Sequence, residues 1–396
     1  MYPLLSTIYN KESRLVIGLM SGTSADGIDA VLTRISGYGT DIKVQQLEFL
    51  FLPFSKEIRE RILQIAEGNY GGAAEICRMS SLLGQLYATA CLELCKKANI
   101  PIPEIDFIGN HGQTMWHMPL SEFYIEQSIT GTLQIGQDAI IAELMQCPVI
   151  GDFRVRDMAA GGLGAPLVPY TEYLLYRSAE ENIALQNIGG IGNITLLPKD
   201  CTLEQVTAFD TGPGNMIIDK ITQQLTQGEF TYDSNGTLAA KGTVNLDLLT
   251  YMMNDPYLLK PLPKTTGREY YGSAYVANLL TKSDELSVSL NDTLTTATCF
   301  TATSIAFGME HFCSHATPDT LIIGGGGSHN HTLMRYLKKF SPNCNVITNE
   351  DLGYHSDAKE AIAFAILANE SLGGFSNNVP SVTGASHPVI MGKISF

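Results

Sequence analysis

Apolar residues in this chain fall into short runs broken by glycine-rich polar turns, and the spacing inside each run predicts its element. Residues 15–20 and 28–35 are apolar runs on either side of SGTSADG, the pattern of two antiparallel strands joined by a turn. Residues 47–54 predict a third strand. After Ser55, the side chains of Ile58, Ile62, Ile65 and Ala66 share one helical face. In the next stretch Ile76, Met79, Leu83, Leu86, Ala90 and Leu94 recur every three or four residues, which predicts a longer helix. IDFIGNHGQT reads as a buried strand running into a polar loop over 109–117. GTLQIGQ repeats that form, and CPVIGDFR is again strand then loop.

Past a glycine-rich loop at 161–164 the pattern restarts. NIALQNIGGIGNITLLP predicts two strands around a glycine turn, and VTAFDTGPGNMIIDKI predicts strand, loop and helix, with Asn215 placed to cap that helix. Helical periodicity then covers roughly 243–253, 273–282 and 294–313. DTLIIGGGGSHNHTLM returns to strand, glycine loop and helix, and DAKEAIAFAILANESL predicts a final helix with Ala, Ile and Phe on its buried side. Each half thus opens with strand, glycine turn, strand, an echo of structure without a sequence repeat. It predicts two α/β domains around a central cleft, over 1–150 (joined by part of the C-terminal end) and 151–396. One large α/β domain with long insertions is the alternative.

Composition narrows the partners. A chain of 396 residues with 44% hydrophobic and 16% charged residues can bury two ordinary cores. A net charge of -15 without a run of Lys and Arg argues against nucleic acid and anionic membranes as partners. No apolar run is long enough to span a bilayer. The eight cysteines are scattered without a CxxC pair, and the first residues lack the features of a signal peptide, so a cytoplasmic location is expected.

Neither common nucleotide signature is present. The only Gly-Lys pair, Gly392-Lys393, is followed by isoleucine, and GGGGSHN lacks the third glycine of a dinucleotide fingerprint. What remains is a set of glycine turns at strand ends. In SGTSADGID, Gly22 and Gly27 allow close approach of backbone to a ligand, and the N–H groups with the Thr23 and Ser24 hydroxyls suit phosphate oxygens. Asp26 and Asp29 would repel a polyphosphate unless a divalent cation with its waters lies between. A hairpin whose polar residues satisfy their own backbone is the plainer reading. In FDTGPGN, Asp210 ends a strand, a position where α/β enzymes place reactive groups. The four glycines of IIGGGG leave room for a flat ring or a sugar, or form only a flexible turn.

Together GLMSGTSADGID, GNHGQT, GDFRVRDMAAGGLGAPLVP, NIGGIGNIT, FDTGPGN, TTGRE and IIGGGG resemble, in this order, the motifs of the anhydro-N-acetylmuramic acid kinases, within the actin, Hsp70 and sugar kinase superfamily. The resemblance runs from residue 15 to the end, and its one minor departure is Gly192. It implies an α/β fold of two actin-like (ribonuclease H-like) domains, a homodimer, ATP with Mg²⁺, and an amino sugar substrate, 1,6-anhydro-N-acetylmuramic acid. The anhydro bond would be hydrolysed and O6 phosphorylated, giving N-acetylmuramic acid 6-phosphate.

On the resemblance, Gly22, Thr23, Ser24, Ala25, Asp26, Gly27, Ile28 and Asp29 hold the ATP phosphates, with Asp26 reaching the metal through water. Gly212, Gly214 and Asn215 also serve the nucleotide, and Gly324, Gly325 and Gly326 lie near the adenosine. Asp210 is the base that takes a proton from the attacking water. The lactyl carboxylate calls for arginine, and Arg154 or Arg156 offers one; salt bridges within Asp152, Arg154, Arg156 and Asp157 are the alternative. His111 and Gln113 suit sugar hydroxyls, or belong to a structural loop, and His111 with His117 as a zinc pair is a remote third reading. Trp116 reads as a core residue more readily than as a sugar platform. Glu360 is either a carboxylate in the cleft or a complement to its helix dipole. An actin- or Hsp70-like ATPase switch without a sugar is the competing function, and a phosphatase of the same superfamily a third.

Overall fold

The fold was obtained as a computed structural model, which describes residues 3–69, 71–312, 317–353 and 356–396. A short helix α1 (Pro3–Tyr9) precedes strands β1 (Ser13–Ser21), β2 (Gly27–Ser36) and β3 (Lys43–Pro53). Helices α2 (Lys56–Ala66) and α3 (Ala73–Ala98) lead to β4 (Phe107–Tyr124) and β5 (Gln127–Ile135). Next come α4 (Asp138–Met145), β6 (Val149–Gly151), α5 (Arg154–Ala159) and α6 (Val168–Tyr176). Strands β7 (Ile183–Ile188), β8 (Ile191–Leu197) and β9 (Thr207–Pro213) are followed by α7 (Asn215–Leu225), α8 (Leu246–Met253), α9 (Arg268–Tyr271), α10 (Ser273–Glu285) and α11 (Leu290–Phe312). The chain continues through β10 (Thr320–Gly324), α12 (His331–Phe340), β11 (Asn345–Thr348), α13 (Lys359–Gly373) and β12 (Lys393–Ser395).

These elements group into two units, Met1–Leu175 with Asp357–Phe396, and Tyr176–Ser356. The first unit thus runs past residue 150 and takes in the C-terminal segment. The physical reason is pairing: β6 lies parallel to β4 and antiparallel to β12, so 149–151 and 393–395 both belong to the first sheet.

In the first unit the strand order is β12-β6-β4-β1-β2-β3, with β5 paired to β4. The β1–β2–β3 meander is antiparallel, whereas β4 joins β1 in parallel. Strand β1 is buried at every position from Arg14 to Ser21, as a strand covered on both faces must be. Ile17 and Leu19 face the cluster built by Leu83, Tyr87 and Leu94 of α3. Burying each Ile or Leu of this kind contributes about 1.5–3 kcal/mol. The alternate positions face α13, which lies directly on the strands: a Cβ on Gly18 would be 1.9 Å from Ala361 O, and one on Gly109 2.1 Å from Phe364 O.

The second unit has the order β11-β10-β7-β8-β9, again an antiparallel meander with two parallel strands added beside its first strand. Both sheets therefore carry the ribonuclease H-like order, and the echo read from the sequence is one of topology. Ile194, Leu196, Phe209, Leu321 and Ile323 form one core with Ile305 of α11 and Leu333 of α12. Ile217, Ile218 and Ile221 of α7 form another with α8, α10 and Phe300.

Three local expectations change. The polar stretch 109–117 is strand throughout, because β4 continues to Tyr124 and pairs with β5. Trp116 on that strand is 56% exposed, so it is not a core residue. The helix expected to reach 313 is described to Phe312, and residue 313 lies outside the described residues.

Candidate active site

In the first unit the β1–β2 turn is braced from strand β4. Ser21, 1% exposed, donates through its hydroxyl to Gln113 Oε1, and Gln113 Nε2 donates to Gly22 O at 3.1 Å. Gln113 is itself 1% exposed, so it is a strut for the turn and has little surface to offer a sugar. Ala25 is buried in a left-handed conformation (φ 52°), and its N–H closes the turn on Gly22 O at 3.1 Å. Phe54 N–H donates to Asp26 O, and Gly27 fits beneath Leu52 O. Ile28 is buried in the core. Thr23 and Ser24 are left exposed at the tip.

The two turn carboxylates differ. Asp26 is exposed and ion-paired with Arg59 at 3.0 Å, while Arg59 Nε also donates to Ser24 O. Asp29 is half-buried on β2, and burial pushes it up to about 7, with the like charges of Glu360, Asp357 and Asp26 adding to the rise. Glu360 is exposed at the start of α13, and desolvation by the protein atoms around it raises its pKa against the opposing charges of Arg154 and Lys359. Lys359 is itself paired with the buried Glu172 at 2.5 Å.

Arg154 donates to His111 Nε2 from Nε at 3.1 Å and from Nη2 at 2.9 Å, and to Gly164 O from Nη1 at 2.7 Å. His111 Nε2 is therefore bare, and Nδ1 carries the proton that it donates to Gly112 O at 2.7 Å. Burial and then Arg154 pull the imidazole down to about 3, so it stays neutral. His111 thus orients Arg154, and its ring nitrogens are engaged with protein. The remote zinc reading of His111 with His117 finds no further ligand: among the described residues no three His, Cys, Asp or Glu side chains are grouped to hold a metal directly. Two of the five guanidinium N–H groups of Arg154 remain beyond these bonds. Burial pulls Arg154 down to about 10, opposed by Glu360. The alternative reading, salt bridges of the arginines with Asp152 and Asp157, is not what forms: Asp157 accepts from Gly164 N–H, Asn378 and Thr383, and Arg156 is exposed.

In the second unit Asp210 does not end its strand: it is half-buried midway along β9, because pairing with β8 continues to Pro213 and leaves only Gly214 before α7. Its Oδ2 accepts from Thr266 N–H at 2.9 Å, its carbonyl from Tyr257 OH at 2.9 Å, and its own N–H donates to Lys264 O at 3.4 Å. The start of α7 is closed rather than open. Gly214 and Met216 N–H donate to Gly190 O at 2.9 and 3.1 Å, and Asn215 N–H donates to Gly189 O at 2.7 Å. Gly214 is the N-cap residue; Asn215 is the first helical residue, and its Nδ2 donates to Ile188 O at 3.3 Å. The helix N-terminus is thus occupied by the β7–β8 turn. Gly212 (φ 131°) packs near Ser304 and Leu258.

Packing explains three of the four glycines at 324–327. A Cβ would lie 2.6 Å from Asn349 Nδ2 at Gly324, 2.6 Å from Asn187 Oδ1 at Gly325 and 2.3 Å from Ile188 Cγ2 at Gly327. Only Gly326 faces open space, with Asn215 Nδ2 at 3.8 Å. Next to this loop Ser328 Oγ and both polar atoms of Asn349 are buried without a hydrogen-bond partner, which is unusual for a finished interior.

The profile described as Anhydro-N-acetylmuramic acid kinase matches residues 14–396. The chain belongs to the anhydro-N-acetylmuramic acid kinase family. A curated anhydro-N-acetylmuramic acid kinase from Caldanaerobacter subterraneus subsp. tengcongensis is 51% identical over 393 residues, 99% of either chain. Those from Clostridioides difficile and Bacillus cereus are 48% and 47% identical, covering 96% of this chain and 97% and 99% of theirs. This membership favours the sugar kinase over an ATPase switch or a phosphatase.

Several residues of this kinase have no role on sequence grounds alone. Asn110 Nδ2 donates to Asp138 Oδ1 at 2.7 Å, and burial pushes Asp138 up to about 6. Lys264, Thr266 and Tyr257 surround Asp210. Of these, only Asn110, within GNHGQT, and Thr266, within TTGRE, fall in quoted motifs.

Proposed function

We propose that this chain couples cleavage of the 1,6-anhydro bond of 1,6-anhydro-N-acetylmuramic acid to phosphorylation of O6 by ATP, releasing N-acetylmuramic acid 6-phosphate and ADP for peptidoglycan recycling. The observation that carries the reading is the Asp210 carboxylate midway along β9, fixed through Oδ2 by the Thr266 N–H, in a chain matched to the family over residues 14–396.

Asp210 takes the proton of the water that attacks C1, where the transition state gains oxocarbenium character. The bond from C1 to O6 breaks, and O6 attacks the γ-phosphoryl group. The β1–β2 turn, from Gly22 to Gly27, holds the phosphates through backbone N–H groups and the exposed Thr23 and Ser24 hydroxyls. Asp26 and Asp29, with Asp357 and Glu360 nearby, form an all-oxygen set suited to a cation held through water, and the repulsion recorded at Asp29 is what such an ion would relieve. These carboxylates would hold a Mg²⁺ through water, and the ion would supply positive charge to the transferring phosphoryl group. Because Arg59 already pairs with Asp26, Asp29 is the stronger candidate for this role.

Arg154, oriented by His111, offers its remaining N–H groups to the lactyl carboxylate, and Glu360 is within the same neighbourhood for sugar hydroxyls. The unpartnered Ser328 and Asn349 suit the adenosine side, next to the open face of Gly326. A cytoplasmic homodimer is part of the same proposal. Its supports are the family resemblance, unpaired thiols at the described cysteines, and the absence of any described helix long and apolar enough to cross a membrane. Light scattering would measure the assembly state.

The test is incubation with ATP and the anhydro sugar in ¹⁸O-water. The expected result is a sugar 6-phosphate carrying ¹⁸O at C1. ADP formed with no phosphorylated sugar would overturn the proposal.

A further inference from the structure

We propose that Lys264 is a positioning residue for Asp210: its ammonium, walled in by aromatic rings beside the middle of β9, keeps the Asp210 carboxylate ionised and in place for proton abstraction. The inference rests on the reading of Asp210 as the base.

Lys264 is 3% exposed, and its Nζ donates to Leu258 O at 2.9 Å. The ring centroids of Phe312, Tyr257 and Phe209 lie 4.2, 4.9 and 5.3 Å from Nζ, a cage that stabilises a cation through the faces of the rings. Among the described residues no carboxylate lies within ion-pair distance of Nζ. A cage of this kind would be filled as well by methionine or leucine, without the desolvation that a buried ammonium suffers. The charge therefore needs a use, and the neighbouring groups point to one. Lys264 O accepts the Asp210 N–H, Tyr257 OH donates to Asp210 O, and the Thr266 N–H donates to Asp210 Oδ2. Backbone and charge of this segment converge on a single aspartate.

The titratable groups around Lys264 are Asp210 on β9, Tyr257 and Lys260 on the segment 256–266, and His311 on α11, whose ring meets that of Phe312. Burial pulls the ammonium down to about 8, with Asp210 opposing and Lys260 adding to the fall. Lys264 is thus charged throughout the acid range in which a carboxylate base would be protonated. Without that cation the Asp210 carboxylate would take up a proton at higher pH.

The test is the pH profile of kcat/KM for the anhydro sugar at saturating magnesium ATP. Lys264→Met is expected to move the acid limb upward by about one pH unit. Activity then falls about tenfold on the acid side and returns to near the normal value above the limb. Lys264→Arg, which keeps the charge, is expected to leave the limb at its original pH, and Tyr257, Lys260 and His311 are unchanged in both variants. Lys264→Gln gives the same readout should the methionine variant unfold. A limb that stays in place in the neutral variants, with activity lowered equally at all pH values, would reduce Lys264 to a structural role and overturn the proposal. So would an arginine variant displaced as far as the neutral ones. Asp210→Asn run alongside separates the two readings: if it keeps a normal acid limb, Asp210 is not the base, whatever the lysine variants do.

Discussion

The two sheets share one strand order, yet their first hairpin turns are built for opposite ends. Between β1 and β2 the chain places Gly22 to Asp26, with Thr23 and Ser24 exposed and the turn braced from behind by Gln113. Between β7 and β8 it places only Gly189 and Gly190, whose carbonyls accept the first N–H groups of α7. One turn presents polar groups to solvent, and the other is consumed in joining a strand to a helix. A fold used twice therefore need not yield a binding loop twice. What decides is whether the next element's unsatisfied N–H groups are brought against the turn.

Substitutions in the two units should separate these roles. The largest effect is expected at the carboxylate of the second unit: Asp210→Asn should lower kcat by about 10²–10⁴-fold while leaving ADP affinity, measured by calorimetry, nearly unchanged. Within the first turn, Asp29→Asn should weaken magnesium-dependent turnover by about tenfold or more, whereas Asp26→Asn, already engaged by an exposed arginine, should change it less than about threefold. Equal effects from the two would remove the distinction drawn between them.

Stability should divide the turns in the other direction. Gly214→Ala would set a Cβ 2.3 Å from Gly189 O, and a loss of about 1–3 kcal/mol in denaturant unfolding is expected. Gly22→Ala meets only Ser24 Oγ at 3.8 Å, so its unfolding free energy should stay within about 0.5 kcal/mol. The smallest effect is a pH dependence. Because Asp29 sits near 7, above its ordinary value, its contribution to stability is full at low pH and is lost as pH rises through about 7. Magnesium chloride should therefore raise Tm more at about pH 8 than at about pH 5.5, and Asp29→Asn should erase that difference.

The strands and long helices were legible because their apolar spacing reports burial directly. The polar part of β4 was not. Asn110, His111 and Gln113 look like a loop in sequence, but each is buried against a partner far along the chain or on a neighbouring strand: Asp138, Arg154 and Ser21. Sequence shows that a side chain is polar and not who satisfies it. The same gap hid the neutral state of His111 and the role of Gln113. At 324–327 the glycines were visible, but the reason for three of them is the proximity of Asn349, Asn187 and Ile188. Asp210 and the first turn could be picked out because their residue types are unusual for their positions.

The way α13 and β12 close the first sheet bears on how this protein is made. Tyr176–Ser356 is an unbroken span, so everything that unit needs has left the ribosome well before synthesis ends. The other unit has its opening strands translated first, yet the helix resting on Gly18 and Gly109 follows the whole of Tyr176–Ser356. Its early hairpins must wait, with one apolar face uncovered, for the tail of the nascent polypeptide. Trimming that tail would consequently damage the half of the molecule that was translated earliest.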